Sequence, residues 1–174
     1  TTGGRQQRLL AEDKNGNLWL GTATGPVLRR KGNTKFEFLP ESHPLRAKIV
    51  TAIQVDSENN IWVGTERGVF KITEGKIKMI SKYNDMPFLR TGGVTQLPSG
   101  ALYINVAGRT SLYNYHHDEI KPVNLSNPLL KLPWEAFHMH ADHDGNVWLA
   151  SAPSFRISPE GKEFTFGQRE SIRY

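Results

Sequence analysis

"GNLWLGT", residues 16–22, sets the architecture of this chain, because the phrase returns as "NNIWVGT" at 59–65 and as "GNVWLAS" at 145–151. With Trp19, Trp62 and Trp148 in one column, a missing copy is expected near residue 104, and "SGALYIN" at 99–105 places Tyr103 there. The spacings are 43, 41 and 45 residues, so the chain is a series of similar units. Six residues before the aromatic stand Asp13, Asp56 and Asp142, with Leu97 in the third copy.

Working outward, each motif is preceded by one short run ("RLLAE", "IVTAIQV", "GGVTQL", "AFHMHA"). It is followed by a second ("PVLRR", "GVFKIT", "TSLYNY", "SFRIS") and closed by a third ("KFEFL", "KIKMIS", "IKPVNL", "KEFTF"). The runs are rich in β-branched and aromatic residues and are separated by Gly, Asn, Asp, Pro and Ser, which reads as strands joined by hairpins. Helical periodicity of useful length is missing. The predicted fold is therefore all-β: a β-propeller segment over 1–174 with about four four-stranded antiparallel blades, near 5–39, 48–81, 92–125 and 135–166. A period in the forties is that of propeller blades.

The turns "KNGN", "SENN", "PSG" and "HDGN" carry Gly and Asn, which accept the positive φ of tight hairpins, and the Asp before all but the third is expected to accept hydrogen bonds from turn amides. The aromatic column is expected to fill the contact between adjacent blades. "LWL", "IWV" and "VWL" read as strands covered on both faces, and the closing Gly-Thr suits a close backbone approach. Asp13, Trp19, Asp56, Trp62, Tyr103, Asp142 and Trp148 are accordingly assigned to scaffold.

Composition bounds the rest. With 37% hydrophobic and 22% charged residues the chain is globular rather than disordered. Cysteine is absent, so thiolate metal sites, Cys nucleophiles and disulfides are excluded. The net charge of +5 is spread out, with no basic block longer than "RRK" at 29–31, which argues against a nucleic-acid footprint. No apolar run is long enough to span a bilayer.

"VTAIQVDSENNIWVGTERGVFKI" at 50–72 resembles the two-component regulator propeller repeat; 9–28 matches nearly as well, 136–151 less strictly, and the unit around Tyr103 least. The resemblance implies a periplasmic sensor region of a bacterial membrane signalling protein. In that family seven-bladed rings precede an immunoglobulin-like domain, a membrane helix and a kinase or cyclase, and oligosaccharides are the usual ligands in members from gut bacteria. It implies that a membrane is met only through a segment outside this chain. Partners would be a small molecule or oligosaccharide and the remaining blades or another protomer; no cofactor and no enzymatic activity are expected in the segment. Four blades against seven suggests a fragment of a longer chain, with a small ring or part of an oligomeric ring as alternatives.

Propeller ligand sites usually lie in loops joining one blade to the next, helped by the hairpins after the Trp strand. The loops at 40–48, 82–93 and 126–136 offer His43, Arg46, Tyr83, Asp85, Phe88, Arg90, Trp134 and Glu135, and the hairpins add Glu66, Arg67 and Arg109. Aromatic rings beside Asp and Arg suit a sugar, which stacks one face and hydrogen-bonds its hydroxyls. The same rings would equally plug blade ends.

"HMHADHDG" at 138–145 spells a metallohydrolase string, but register aligns His138, His140 and Asp142 with Ala52, Gln54 and Asp56, and no His follows His143. His138 and His140 remain candidate ligand contacts without a metal. "DKNGN" and "DHDGN" lack the twelve-residue loop and terminal Glu of a calcium site. Two other readings stay open: a propeller lyase or hydrolase with a channel site that gathers Glu135, His138 and His140, and a protein-interaction scaffold.

Overall fold

The computed structural model describes residues 9–106, 112–126, 138–150 and 153–167. Among these there is no helix, and the strands form four four-stranded antiparallel sheets in which each strand pairs with its sequence neighbour. This up-and-down order is that of a propeller blade. Blade 1 holds β1 (Leu10–Glu12), β2 (Leu18–Thr22), β3 (Gly25–Arg29) and β4 (Glu37–Phe38). Blade 2 holds β5 (Val50–Val55), β6 (Ile61–Thr65), β7 (Gly68–Thr73) and β8 (Lys76–Ile80). A two-stranded ribbon of β9 (Lys82–Tyr83) and β10 (Met86–Pro87) follows.

Blade 3 holds β11 (Thr91–Gln96), β12 (Leu102–Val106), β13 (Leu112–His116) and β14 (Glu119–Pro122). Blade 4 holds β15 (His138–Ala141), β16 (Val147–Ala150), β17 (Ser154–Ile157) and β18 (Glu163–Phe166). The chain divides into two compact units, Thr1–Thr91 and Gly92–Tyr174.

Within each unit the packing rule is the same. In the first, Trp19 and Leu28 of blade 1 join Ile61, Val63, Phe70 and Ile72 of blade 2 in one buried cluster, with Leu45 from the connection. In the second, Leu112 and the partly buried Tyr103 of blade 3 meet Val147, Leu149, Phe155 and Ile157 of blade 4. Side chains alternate across a strand, so each blade presents an aromatic-column face to one side and an aliphatic face to the other. The aromatic-column face of one blade packs on the aliphatic face of the next.

The motif's chemistry is now explicit. Oδ1 of Asp13 accepts the amide N–H of Asn15 and Asn17, both at 2.9 Å, while Oδ2 accepts Nδ2 of Asn17 at 2.9 Å and the indole N–H of Trp19 at 3.1 Å. Asp56 repeats the set with Glu58, Asn60 and Trp62, the last at 2.8 Å. Asp142 repeats it with Asp144, Asn146 and Trp148, the last at 2.9 Å. One carboxylate thus closes the turn and holds the ring, which is why the spacing of six recurs.

Blade 3 keeps only the backbone part. Gly100 N donates to Leu97 O at 2.9 Å and Leu97 N to Ala101 O at 2.8 Å, the same bonds that Gly16 and Asp13 make. The turn therefore survives the loss of its Asp, and Leu97 packs on the core instead.

The Gly-Thr ending also has a physical reason. A Cβ on Gly21 would stand 2.7 Å from Val50 Cγ1 and 2.9 Å from Leu9 Cβ, so only Gly fits between the blades there. The Thr closes the hairpin: Thr22 Oγ1 donates to Gly25 O at 2.6 Å and accepts from Thr24 N at 3.1 Å, and Thr65 Oγ1 does the same with Gly68 and Arg67.

One expectation fails in part. The three Trp-centred strands read alike, but only β6 is buried at every position. Trp62 is 0% exposed, whereas Trp148 is 39% exposed.

Candidate functional site

The loops between blades 1 and 2 are built on short backbone turns. His43 N donates to Pro40 O, Arg46 N to His43 O and Ala47 N to Thr24 O, at 2.8 to 2.9 Å, which ties the connection to the β2–β3 hairpin. Leu45 is fully buried and anchors the segment from below. His43 Nδ1 accepts from Leu45 N at 3.2 Å, and burial lowers the pKa of its imidazole from the ordinary 6.5. His43 therefore shapes the loop as a neutral ring.

Two clefts adjoin at Ala47. One, about 440 Å³, is lined by Thr24, Phe38, Glu41, Arg46 and Ala47. The other, about 170 Å³, is lined by Ala47, Lys48, Ile49, Thr65, Glu66 and Arg67. The Arg46 guanidinium lies over the Phe38 ring, 4.8 Å from its centre, so the first cleft holds a cation stacked on one face of an aromatic ring. Glu66 and Arg67 stand at the tip of the hairpin that Thr65 and Gly68 close, and both are exposed. The combination of one ring, two carboxylates, two guanidiniums and an ammonium suits a hydroxyl-rich or zwitterionic small molecule.

The other anticipated residues are not gathered here. Tyr83 and Asp85 sit on the β9–β10 ribbon with Asn84 in its turn at φ 52°, and neither cleft includes them or Arg90. Phe88 is only 4% exposed and its N–H donates to Ser81 O at 2.6 Å. Its side chain is thus buried and not displayed on the loop surface. Arg109, Trp134 and Glu135 lie outside the described residues.

His138 and His140 are exposed on one face of β15, cross-strand from Ala150 and Trp148. Among the described residues no group of three His, Cys, Asp or Glu is placed to hold a metal. Both oxygens of Asp142 are taken by its turn and Trp148. The indole bond, with the Asn146 and Asp144 donors, lowers its carboxyl from the ordinary 3.8 to about 2. Burial raises the pKa of Asp13, but the bonds from Asn17, Trp19 and Asn15 outweigh it and hold that carboxyl below its ordinary value.

A third opening escaped the sequence reading. An open groove of about 530 Å³ on blade 3 is lined by Tyr103, Asn114, His116, His117, Glu119, Lys121, Pro122 and Val123. Lys121 pairs with Glu119 at 2.7 Å and holds its carboxyl below the ordinary range. The signal that could have found it is the broken repeat itself: Tyr103 replaces the larger Trp, and two adjacent His enter the β13–β14 hairpin at 116–117.

Comparison with known proteins follows the same lines. The model of the two component regulator propeller family matches residues 8–24 and 44–67, the stretches around Trp19 and Trp62. No curated protein matches the chain. Among solved structures, the extracellular domain of a B. thetaiotaomicron protein described as a hybrid two component system, BT3049, is similar at a TM-score of 0.68 and 20% identity; the likeness covers 91% of this chain and 22% of that one.

Virginiamycin B lyase from Staphylococcus aureus is similar at a TM-score of 0.68 and 17% identity, over 90% of this chain and 54% of the lyase. Regucalcin from Agrobacterium tumefaciens, a calcium-binding protein, is similar at 0.65 and 15%, over 89% and 57%. At these identities the likeness is one of fold, and the chain spans little more than half the length of the lyase. Residues 8–24 and 44–67 thus match the two component regulator propeller repeat, and the described residues fold as four-stranded propeller blades.

Proposed function

We propose that this chain is a ligand-sensing, non-enzymatic segment of an extracytoplasmic propeller in a bacterial two-component-type receptor. The observation that carries the reading is the pair of clefts meeting at Ala47: one holds Arg46 with Phe38 and Glu41, and in the other the inter-blade connection and the β6–β7 hairpin bring Lys48, Glu66 and Arg67 together. The family repeats and the likeness to the B. thetaiotaomicron extracellular domain support the sensor setting.

In this reading the ligand is a carbohydrate or similar polar small molecule. Its ring stacks on Phe38 while its hydroxyls take donors from Arg46 and Arg67 and acceptors from Glu41 and Glu66. Binding across a connection and a hairpin of different blades biases their relative placement, and a receptor reads that bias as signal. No helix of the described residues is long and apolar enough to cross a bilayer.

A thermal-shift and calorimetry screen against oligosaccharides tests the proposal. The expected result is stabilisation by a subset of sugars, weakened about tenfold by Arg46→Ala or Arg67→Ala, on the order of one lost charged hydrogen bond. No stabilisation by any sugar would overturn the carbohydrate assignment. Undiminished binding in both variants would overturn the site.

A further inference from the structure

Blade 3 departs from the repeat along one cross-strand row. Tyr103, Asn114 and Lys121 lie opposite one another on β12, β13 and β14. The same row reads Trp19, Leu28 and Glu37 in blade 1, Trp62, Lys71 and Lys78 in blade 2, and Trp148, Arg156 and Phe164 in blade 4. In blades 2 and 4 the middle residue is a long cation lying over the indole, Lys71 at 5.5 Å and Arg156 at 5.7 Å. Blade 3 shortens the ring and its cover together, and the groove of about 530 Å³ opens along this row. Blade 4 follows in the same unit and Tyr103 packs partly on its core residues, so the opening comes from the row itself.

The mouth of the groove departs from the repeat as well. His116 stands opposite Glu119, and His117 and Asp118 form the two-residue turn between them. In the matching turn of blade 2, Glu74 and Gly75 have φ of 49° and 79°. His117 and Asp118 adopt 49° and 63°, so a side chain occupies the position that favours glycine. The Tyr115 hydroxyl donates to the Asp118 carboxylate and pins the turn. The His117 ring is thereby set 3.9 Å from that of His116.

The groove is rich in donors. Among the described residues the side chains of Tyr103 and Asn114, both half-buried, have no hydrogen-bond partner, whereas polar groups withdrawn from water are normally paired. Burial raises the Tyr103 phenol above its ordinary pKa of 10, so it remains a donor at neutral pH. Lys121 pairs with Glu119 at 2.7 Å, and an ammonium has three N–H bonds to distribute. Five side chains can donate, and only Glu119 is confined to accepting. That set matches an acceptor-rich ligand. A carboxylate suits Lys121, while a doubly charged phosphate would be repelled by Glu119, which the Lys121 bond keeps ionised. Glu119 in turn calls for a hydroxyl.

We infer that this groove is a second ligand site, for a small hydroxycarboxylate such as a sugar acid. The carboxylate takes Lys121 with the imidazole N–H groups of His116 and His117, and the hydroxyls lie among Tyr103, Asn114 and Glu119. The groove belongs to the unit Gly92–Tyr174 and the clefts at Ala47 to Thr1–Thr91, so the two sites share no residue.

Calorimetry on the full chain tests this with D-galacturonate and D-glycerate against D-galactose, glycerol and inorganic phosphate. At least one acid should bind, and its neutral counterpart and phosphate should bind at least about tenfold more weakly, as for one lost charged hydrogen bond. Lys121→Gln, at an exposed position, should weaken the acid about tenfold, and Arg46→Ala should leave it unchanged. Tyr103→Trp with Asn114→Leu rebuilds the row of blade 1 and should abolish binding. Circular-dichroism melting checks that each variant folds.

No binding of either acid at the highest soluble concentration overturns the inference. Equal binding of the neutral counterpart or of phosphate does so too, because the carboxylate then selects nothing. Binding that survives Lys121→Gln or the rebuilt row overturns the site, and if Arg46→Ala weakens that binding the acid belongs to the clefts at Ala47.

Discussion

Trp62 and Trp148 occupy the same position of the same motif and make the same hydrogen bond, to Asp56 at 2.8 Å and to Asp142 at 2.9 Å. Each also has a cation above its ring, Lys71 at 5.5 Å and Arg156 at 5.7 Å. One ring is fully buried and the other is more than a third exposed. The local frame that aims the ring is thus written in the repeat, and burial is supplied by whatever lies against the blade. Blade 3 completes the comparison, because it keeps the backbone turn without Asp or Trp.

The comparison breaks most severely at its buried end. Trp62→Ala should cost about 3–5 kcal/mol in urea unfolding, as for other buried aromatic truncations, while Trp148→Ala should cost about 1–2 kcal/mol. Equal costs would show that the hydrogen bond, rather than burial, carries the energy. Asp56→Ala strands two backbone amides, the Asn60 amide and the indole, and a loss of about 2–3 kcal/mol is expected, with tryptophan emission reporting a loosened ring. Gly21→Ala forces a methyl against Val50 and Leu9 and should cost about 1–3 kcal/mol in the same assay.

In blade 3, Leu97→Asp restores the carboxylate but removes a core contact, so a loss of about 1 kcal/mol is expected from the single change. Recovery should need Ala101→Asn and Tyr103→Trp as well. A stabilising single change would show that the Asp alone is what blade 3 lacks.

The smallest effects are those of pH. Asp13 and Asp142 have native pKa values below the ordinary 3.8, about 2 for Asp142, so the unfolded chain takes up protons first. Their stabilisation is complete above the unfolded value and is lost as pH falls through it towards 2. Melting temperature should drop across that window, less steeply in Asp142→Asn. His43 has the same sense at higher pH: its native pKa lies below 6.5, so stability declines as pH falls through that value, and His43→Gln should flatten that step.

Much of the fold was legible because it is periodic. The aromatic column, the Asp column and the turn residues all follow from a repeat of about 43 residues, and the third copy was found by spacing although Tyr103 and Leu97 had replaced its markers. The Asp side chain was legible as a turn cap and illegible as an anchor for the indole. That bond forms only when the hairpin folds back and carries the ring over the turn.

The exposure of Trp148 could not be read at all, since it depends on a neighbour and not on "VWL". Among candidate residues, the loop positions of Arg46, Glu66 and Arg67 were legible, and the structure places them in the lining of the two clefts at Ala47. Burial of Phe88 was hidden because a ring in a polar loop reads alike whether it points out or in. His138 and His140 were separated from metal chemistry by register alone, and the structure places both on an open sheet face.

The β6–β7 hairpin has an evolutionary consequence. The Thr65 hydroxyl closes it on backbone groups, donating to Gly68 O and accepting from Arg67 N, so the side chains of Glu66 and Arg67 take no part in these bonds. The two tip positions are therefore free to change identity generation after generation at no cost to folding. A lineage built on this frame can exchange what it recognises one tip at a time, while selection on the blade itself holds the scaffold still.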